Sequence, residues 1–331
     1  MKVLFLKREA MKKTILIINF LFFILLISCT KLAEYSGRTI FLFDTNISIK
    51  FYNTEDSEKH YDNIKKLLMG ISKIADDYNP YGNNELKSVY DLNENRVIPL
   101  NEELKDMIDY ANVAKEKTNG YFEPLIGSLA RIWKDALENK TIPNEEIIKK
   151  ELQIIHTSKI VIDENEIKII GDANLDLGGF IKGYTSKKVY DYLQENGVKN
   201  YLINLGDSTI LAGSKVNDDF NIGFKNPINH KIFFSIKTKN VMISTSSIEY
   251  QSQLIDQNLY HHLISPFDGY PKNYYSSVSV IKEDDINLDA FSTAIFSMNK
   301  DEAIKFSKEN NIKIILFNDT MLYKSDGLNY D

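Results

Sequence analysis

The sequence predicts an α+β domain, with mixed or antiparallel sheets and flanking helices, and three observations lead there. Several short alternating segments crowd the chain beyond Gly197. Strands and helices follow one another without repeated βαβ units. No repeat, low-complexity stretch or linker divides the chain, so one domain with insertions is the reading taken. With 331 residues, 43% hydrophobic and 26% charged, the composition is ordinary for a globular protein and the length allows a large core.

The elements follow in order. Thr39–Tyr52 alternates like a strand through Ile40, Leu42, Ile47, Ile49 and Phe51. Glu55–Ile74 repeats apolar residues at helical spacing (Ile64, Leu67, Leu68, Ile71, Ile74), and the turn-rich Tyr78–Asn84 follows. Glu102–Thr118 reads as a second amphipathic helix stopped by Asn119-Gly120, and Glu145–Gln153 as a third. Lys159–Asp163 and Glu166–Ile170 are strands around a polar turn. Asp176–Gly183 runs into a helix, Tyr184–Asn196, closed by Gly197. Strands are expected at Tyr201–Leu205, Phe220–Phe224, Phe233–Lys237, Val241–Thr245 and Val278–Lys282. Helices at Asp289–Met298 and Asp301–Asn310 and a strand at Lys313–Phe317 complete the pattern.

The net charge of −6 is spread over mixed acidic and basic residues with no dense Lys/Arg stretch, which excludes nucleic acid as a partner. At the N-terminus, Met11-Lys12-Lys13 precedes an apolar run from Thr14 to Ile27. That run of about 14 residues is short of the roughly 20 that span a bilayer, and it suits the core of a secretory signal. Met11 opens a more typical signal than Met1. Leu26-Ile27-Ser28-Cys29 resembles a bacterial lipobox, which makes residues 1–28 a lipoprotein signal peptide, Cys29 the lipidated residue and 29–38 the lipidated cysteine with its tether. An extracytoplasmic protein held on a membrane is therefore expected, on the periplasmic side of the inner membrane or at the cell surface. Cys29 is the single cysteine, so a disulfide within the chain and thiol catalysis are excluded.

Three segments can carry chemistry. Asp176-Leu177-Gly178-Gly179-Phe180-Ile181-Lys182-Gly183 opens a helix, where glycines admit a ligand, amide N–H groups favour phosphate and Lys182 adds charge. A turn needing glycine for its dihedrals explains the same letters, and neither a Walker loop nor the dinucleotide fingerprint is present. His261-His262-Leu263-Ile264-Ser265-Pro266, then Gly269-Tyr270-Pro271, sets two histidines in a loop, where one can serve as a general base or simply lie at the surface. Asp289, Ser292 and Thr293 fall at i, i+3 and i+4 of a helix start, so their oxygens share one face and suit magnesium. A capping Asp289, with Ser292 and Thr293 bonded back to the backbone, accounts for that spacing equally well.

The order of these segments, over about Thr39 to Phe317, resembles the ApbE family of FAD:protein FMN transferases. Asn119–Leu129 with Trp133 looks like the family's T-x-G-A-F-D-P-x-x-G-x-L…W segment, and Asp176–Tyr184 like D-L-G-G-x-A-K-G-Y. Tyr201–Asp207 is similar to the strand ending N-L-G-G-D, and Ser244-Thr245-Ser246 to A-T-S-G. His262–Pro271 resembles H-I-I-D-P-x-T-G-x-P, and Asp289–Ala294 resembles D-A-L-S-T-A.

The resemblance implies a single ApbE-like, T-fold-related domain over 39–331 and a magnesium-dependent transfer of FMN from FAD to a Thr or Ser hydroxyl of another protein, with AMP released. Asp176 and Lys182 would contact the nucleotide. Gly179 (through its backbone), Asp289 and Thr293 would ligate magnesium, with Ser292 in the metal set beside them. Tyr78, Tyr121, Phe122, Glu123 and Ile264 would line the FAD pocket, with Phe43 at its edge, and His262 would be the catalytic base. Exported or membrane redox proteins would accept the FMN. FAD hydrolysis to FMN and AMP, or FAD binding without catalysis, are the alternatives. Several positions depart from the family pattern: Glu123 and Ser265 each stand where Asp is usual, Ser247 replaces a glycine, Ile181 replaces a small residue, and Asp207 directly follows Gly206 with one glycine missing.

Overall fold

Central strands whose successive residues serve two different cores organise the molecule. The computed structural model describes residues 35–82, 86–216, 218–249 and 251–328; the segment expected to be a signal peptide and Cys29 lie outside them. Contacts gather Ser36–Asp331 into one compact unit. Its eight-stranded sheet runs β1 (Tyr35–Leu42), β2 (Thr45–Tyr52), β6 (Tyr201–Leu205), β7 (Thr209–Ala212), β10 (Val241–Ser247), β13 (Ser277–Lys282), β14 (Lys313–Asn318), β15 (Thr320–Lys324). Every pairing from β2 to β15 is antiparallel. Smaller sheets are β3 (Val97–Pro99), β5 (Glu166–Ile170) and β4 (Lys159–Ile162) in that order, and the hairpins β8–β9 (Phe220–Lys225, Ile232–Thr238) and β11–β12 (Ser252–Ile255, Asn258–His261).

Strand side chains alternate between faces, and the two faces of this sheet are both covered. Met242, Val278, Val280, Ile314 and Leu316 enter the main core. They meet residues of α1 (Ser57–Ala75), α3 (Glu102–Lys117), α6 (Ile181–Glu195), α7 (Leu288–Phe296) and α8 (Lys300–Glu309). Ile243, Ile281 and Ile315 point the other way, against Phe220, Ile222, Phe224, Phe234 and Ile236 of the β8–β9 hairpin. Burial on both faces explains why Val278–Ile281 is a continuous buried run.

Helix α7 lies on β10 and β13 and is buried nearly all round, as an apolar helix between layers must be. Its one residue that is not buried is Thr293.

The expected strand Thr39–Tyr52 is two strands. Phe43 and Asp44 both take left-handed φ (53° and 55°) and turn the chain between β1 and β2. The helix expected from Tyr184 begins at Ile181. Helices α2 (Val89–Asn95), α4 (Gly127–Glu138) and α5 (Glu145–Thr157) complete the set among the described residues. Of these α2 and α4 were not anticipated, nor were β3, β7, β11, β12 and β15. In α4, buried Leu129, Trp133, Ala136 and Leu137 keep helical spacing, and Leu129 and Trp133 join Ile148 and Ile155 of α5 and Ile264 in a satellite core.

Candidate active site

A cleft of about 1160 Å³ opens beside the crossing of α6 and α7. Ligand pockets commonly span roughly 300–1,000 Å³, so it can hold a molecule of dinucleotide size. Phe43, Tyr78, Tyr121, Phe122, Glu123, Asp176, Gly179, Lys182, His262, Ile264, Asp289 and Thr293 all line it. Residues separated by as many as 250 positions in the chain therefore meet on one surface.

The crossing itself is set by sterics. A Cβ on Gly183 would fall 2.8 Å from Asp289 Cβ and 3.0 Å from Ile286 O. One on Gly179 would press Thr293 at 3.2–3.3 Å. Neither glycine has a positive φ, so glycine is needed for close approach and not for turn dihedrals. That approach lets Asp289, only 4% exposed, reach across to the N-terminus of α6. Its Oδ2 accepts from Lys182 N (3.1 Å) and Gly183 N (3.3 Å), and its Oδ1 from Ser244 Oγ (2.9 Å). Asp289 thus ties a neighbouring helix, not its own, where a carboxylate is favoured by the helix dipole. Two of the amides expected to meet phosphate are taken up by this carboxylate. The charge left for an anion on this loop is the Lys182 ammonium.

Thr293 Oγ1 lies 3.3 Å from Gly179 O. Magnesium holds oxygens at about 2.0–2.1 Å in an octahedron, so neighbouring ligands sit about 2.9 Å apart. Asp289 lines the same cleft, and the three groups offer the hard oxygen donors that suit magnesium. Among the described residues no three His, Cys, Asp or Glu side chains cluster as a metal site. Ser292, expected in the metal set, is instead fully buried behind the wall, its hydroxyl donating to Asp289 O (2.9 Å) and touching Ser246 (2.8 Å) and Ser244 (3.2 Å). It supports the site from behind and does not reach the cleft.

His262 stands on the loop after β12. Its backbone N–H donates to Gln251 O (3.1 Å), and Nδ1 lies 3.4 Å from the same oxygen. This leaves Nε2 as the nitrogen open to a substrate. Burial, with the Lys182 charge adding to it, depresses the imidazolium to a pKa of about 4, so the ring is neutral at pH 7 with its free nitrogen able to accept a proton. The Ser265 side chain bonds within its own turn. Its Oγ accepts from Phe267 N (3.4 Å) and its backbone closes the turn with Gly269 and Tyr270.

The other predicted residues frame the cleft. Phe43 sits in the strained β1–β2 turn, a conformation that aromatic residues rarely hold without a local reason. Tyr78 is 53% exposed, with its hydroxyl 3.0 Å from Lys134 Nζ and the Arg131 guanidinium 5.4 Å from its ring. Glu123 faces the cleft with its carboxylate already held by Lys115 (2.6 Å) and Leu125 N (3.1 Å). Asp176 Oδ1 accepts from Gly178 N (2.6 Å) and shapes the loop before α6. Tyr121 packs edge-on against Phe267 (4.7 Å), and Phe122 lies under the Gly179 loop. Ile264 is bridged to Pro271.

Sequence reasoning missed Arg131, Lys134, Asp77 and Gln251. The first two required α4 to be seen as a helix. Asp77 is pushed above the usual carboxylate range by burial and by Asp176, with Arg131 pulling against both.

Known proteins resemble this chain over most of its length. Residues 43–316 match the model of the ApbE family. The chain is 28% identical over 200 residues to the FAD:protein FMN transferase of Klebsiella pneumoniae, a match covering 58% of this chain and 61% of that protein, under two thirds of its length. It is 23% identical over 309 residues to the Haemophilus influenzae protein of the same name, covering 87% of this chain and 86% of that one. The solved ApbE protein of Thermotoga maritima superposes with a TM-score of 0.75 at 24% identity, over 86% of this chain and 94% of that one. The flavin transferase ApbE of Vibrio cholerae gives 0.74 at 20% identity, over 90% and 99%. By its family match, which spans most of its length, this chain belongs to the ApbE family.

Proposed function

We propose that this chain is a magnesium-dependent FAD:protein FMN transferase that moves FMN from FAD onto a Thr or Ser hydroxyl of an exported or membrane redox protein. One observation carries the reading: a histidine, a lysine and three oxygen groups that suit magnesium line one cleft large enough for a dinucleotide. Relatives bearing this activity in their names support it.

Carboxylates outnumber basic side chains on the cleft wall, so a bound diphosphate needs countercharge. Bound magnesium would supply it, by stabilising negative charge on the diphosphate oxygens. Gly179 O, Thr293 Oγ1 and Asp289 would hold the ion, and the hydrogen bonds to Asp289 from α6 and Ser244 keep that carboxylate oriented. Lys182 adds a second positive charge. His262 Nε2 takes the proton of the acceptor hydroxyl. The hydroxyl oxygen bonds to the FMN phosphorus, the P–O bond to AMP breaks, and AMP leaves. Phe43, Tyr78 and Tyr121 offer aromatic surface to the flavin nucleotide.

Water attacking the same phosphorus would give FMN and AMP. Incubation of the folded part with FAD and Mg²⁺ separates the two: AMP that forms only with an acceptor protein, together with a fluorescent acceptor band, supports transfer. AMP and FMN formed equally without acceptor would replace transfer with hydrolysis. The proposal includes a lipid at Cys29 holding the enzyme on the outer face of a membrane, where a tether raises its local concentration beside membrane-bound acceptors. Metabolic labelling with a fatty-acid probe tests it; label that persists in Cys29→Ala would refute it.

A further inference from the structure

The neighbouring histidine has no assigned task, and its contacts are specific. His261 is completely buried at the end of β12, with its ring edge-on to Phe296 (5.2 Å). Its Nδ1 lies 3.2 Å from Leu263 N, and its Nε2 lies 3.2 Å from Lys272 O. The amide can only donate and the carbonyl can only accept. These two partners therefore select one neutral tautomer, with Nδ1 bare and Nε2 protonated. Burial favours the same neutral ring and pushes its pKa down to about 4.

The two bonds bracket the loop that carries His262. Lys272 O lies beyond the far end of the loop, so the imidazole crosses its neck. That neck is also closed by Ser265 N donating to Tyr270 O (3.1 Å) and by the Ile264–Pro271 bridge. Leu263 N is the amide directly after His262, and the amide of His262 itself donates to Gln251 O (3.1 Å). Both peptide N–H groups flanking the His262 Cα are therefore tied, one of them by the His261 ring.

We propose that His261 is a positioning residue for the reaction: its imidazole, as the Nε2–H tautomer, fixes the backbone on the C-terminal side of His262 and so aims the His262 ring into the cleft. This rests on His262 being the base. A buried aromatic-sized side chain that merely filled space would work equally well as phenylalanine. A positioning imidazole would not.

The test uses His261→Phe, which keeps bulk and loses both bonds, and His261→Asn, whose side-chain oxygen stands where Nδ1 stood and can accept from Leu263 N. A displacement of about 1 Å at a catalytic group costs on the order of 10²-fold in rate. H261F is therefore expected to lose kcat for acceptor-dependent AMP release by about that factor, with the KM for FAD within about threefold of the unmodified enzyme. H261N should recover most of the loss. Nitrogen-15 NMR of histidine-labelled enzyme at pH 7 should show the His261 Nδ1 unprotonated and Nε2 protonated. That readout stands whether or not the chain transfers FMN, and it decides the matter if H261F fails to fold. The proposal is overturned by the opposite tautomer, by H261F turning over at the unmodified rate, or by H261N and H261F losing activity equally.

Discussion

Replacing Gly183 with alanine tests whether the α6–α7 crossing builds the site, because helix propensity and packing push its stability in opposite directions. In a helix interior alanine is preferred to glycine by about 1 kcal/mol, so an unobstructed Gly→Ala change is stabilising. At Gly183 the added methyl would sit 2.8 Å from Asp289 Cβ, 3.0 Å from Ile286 O and 3.2 Å from Asp289 N. Two of these three are backbone atoms and cannot swing aside. Overpacking of this kind costs about 1–3 kcal/mol, which exceeds the propensity gain over most of that range. Gly70, inside α1 with nothing within 4 Å of its would-be Cβ, is the internal control. Gly70→Ala should therefore raise stability by about 0.5–1 kcal/mol, while Gly183→Ala lowers it. Urea unfolding followed by circular dichroism measures both. Gly183→Ala should also raise the Mg²⁺ concentration needed for half-maximal AMP release, since the strain falls on Asp289. A Gly183→Ala enzyme as stable as Gly70→Ala, with unchanged Mg²⁺ dependence, would refute the close crossing as the organiser of the site.

Two further outcomes follow from the same geometry. Asp289→Asn keeps an acceptor for Lys182 N and Gly183 N and should fold, yet lose most Mg²⁺-dependent turnover; an unchanged Mg²⁺ titration would remove Asp289 from the metal set. The folded chain holds His261 neutral down to about pH 4, whereas the unfolded chain protonates it from about pH 6.5, so stability falls as pH drops through that window. At roughly 1.4 kcal/mol per pK unit the loss from this fully buried ring approaches about 3 kcal/mol, and urea midpoints at pH 7 and 4.5 should show a smaller difference in His261→Asn; an equal difference would contradict it.

Long elements with strong periodicity were legible in the sequence. Helices α1 and α3 and the hairpin β4–β5 stand where apolar spacing puts them. The β1–β2 turn was not legible, because it uses two non-glycine residues, Phe43 and Asp44, in the left-handed region. Nor were β7, β11 and β12, four residues each with two, one and no β-branched side chains, where the equally short β4 carries three. Within the site, the loop before α6 and the start of α7 were visible as motifs, but their roles depended on three-dimensional contact. Local spacing read Asp289 as a cap of its own helix or a metal ligand. The structure adds that it holds the end of α6, and that Ser292, one turn along, faces away from the cleft. The i, i+3, i+4 pattern places oxygens on one face without saying which of them is covered by β10.

The role proposed for His262 is in chemistry and not in binding. It is tested most directly by His262→Ala enzyme given FAD, Mg²⁺ and an acceptor protein, with FAD affinity and AMP release measured on the same sample. FAD binding should stay close to that of the unmodified enzyme while AMP release falls by at least about 10²-fold, the lower range of a general base's contribution. AMP release at the unmodified rate, or loss of FAD binding in step with activity, would contradict it.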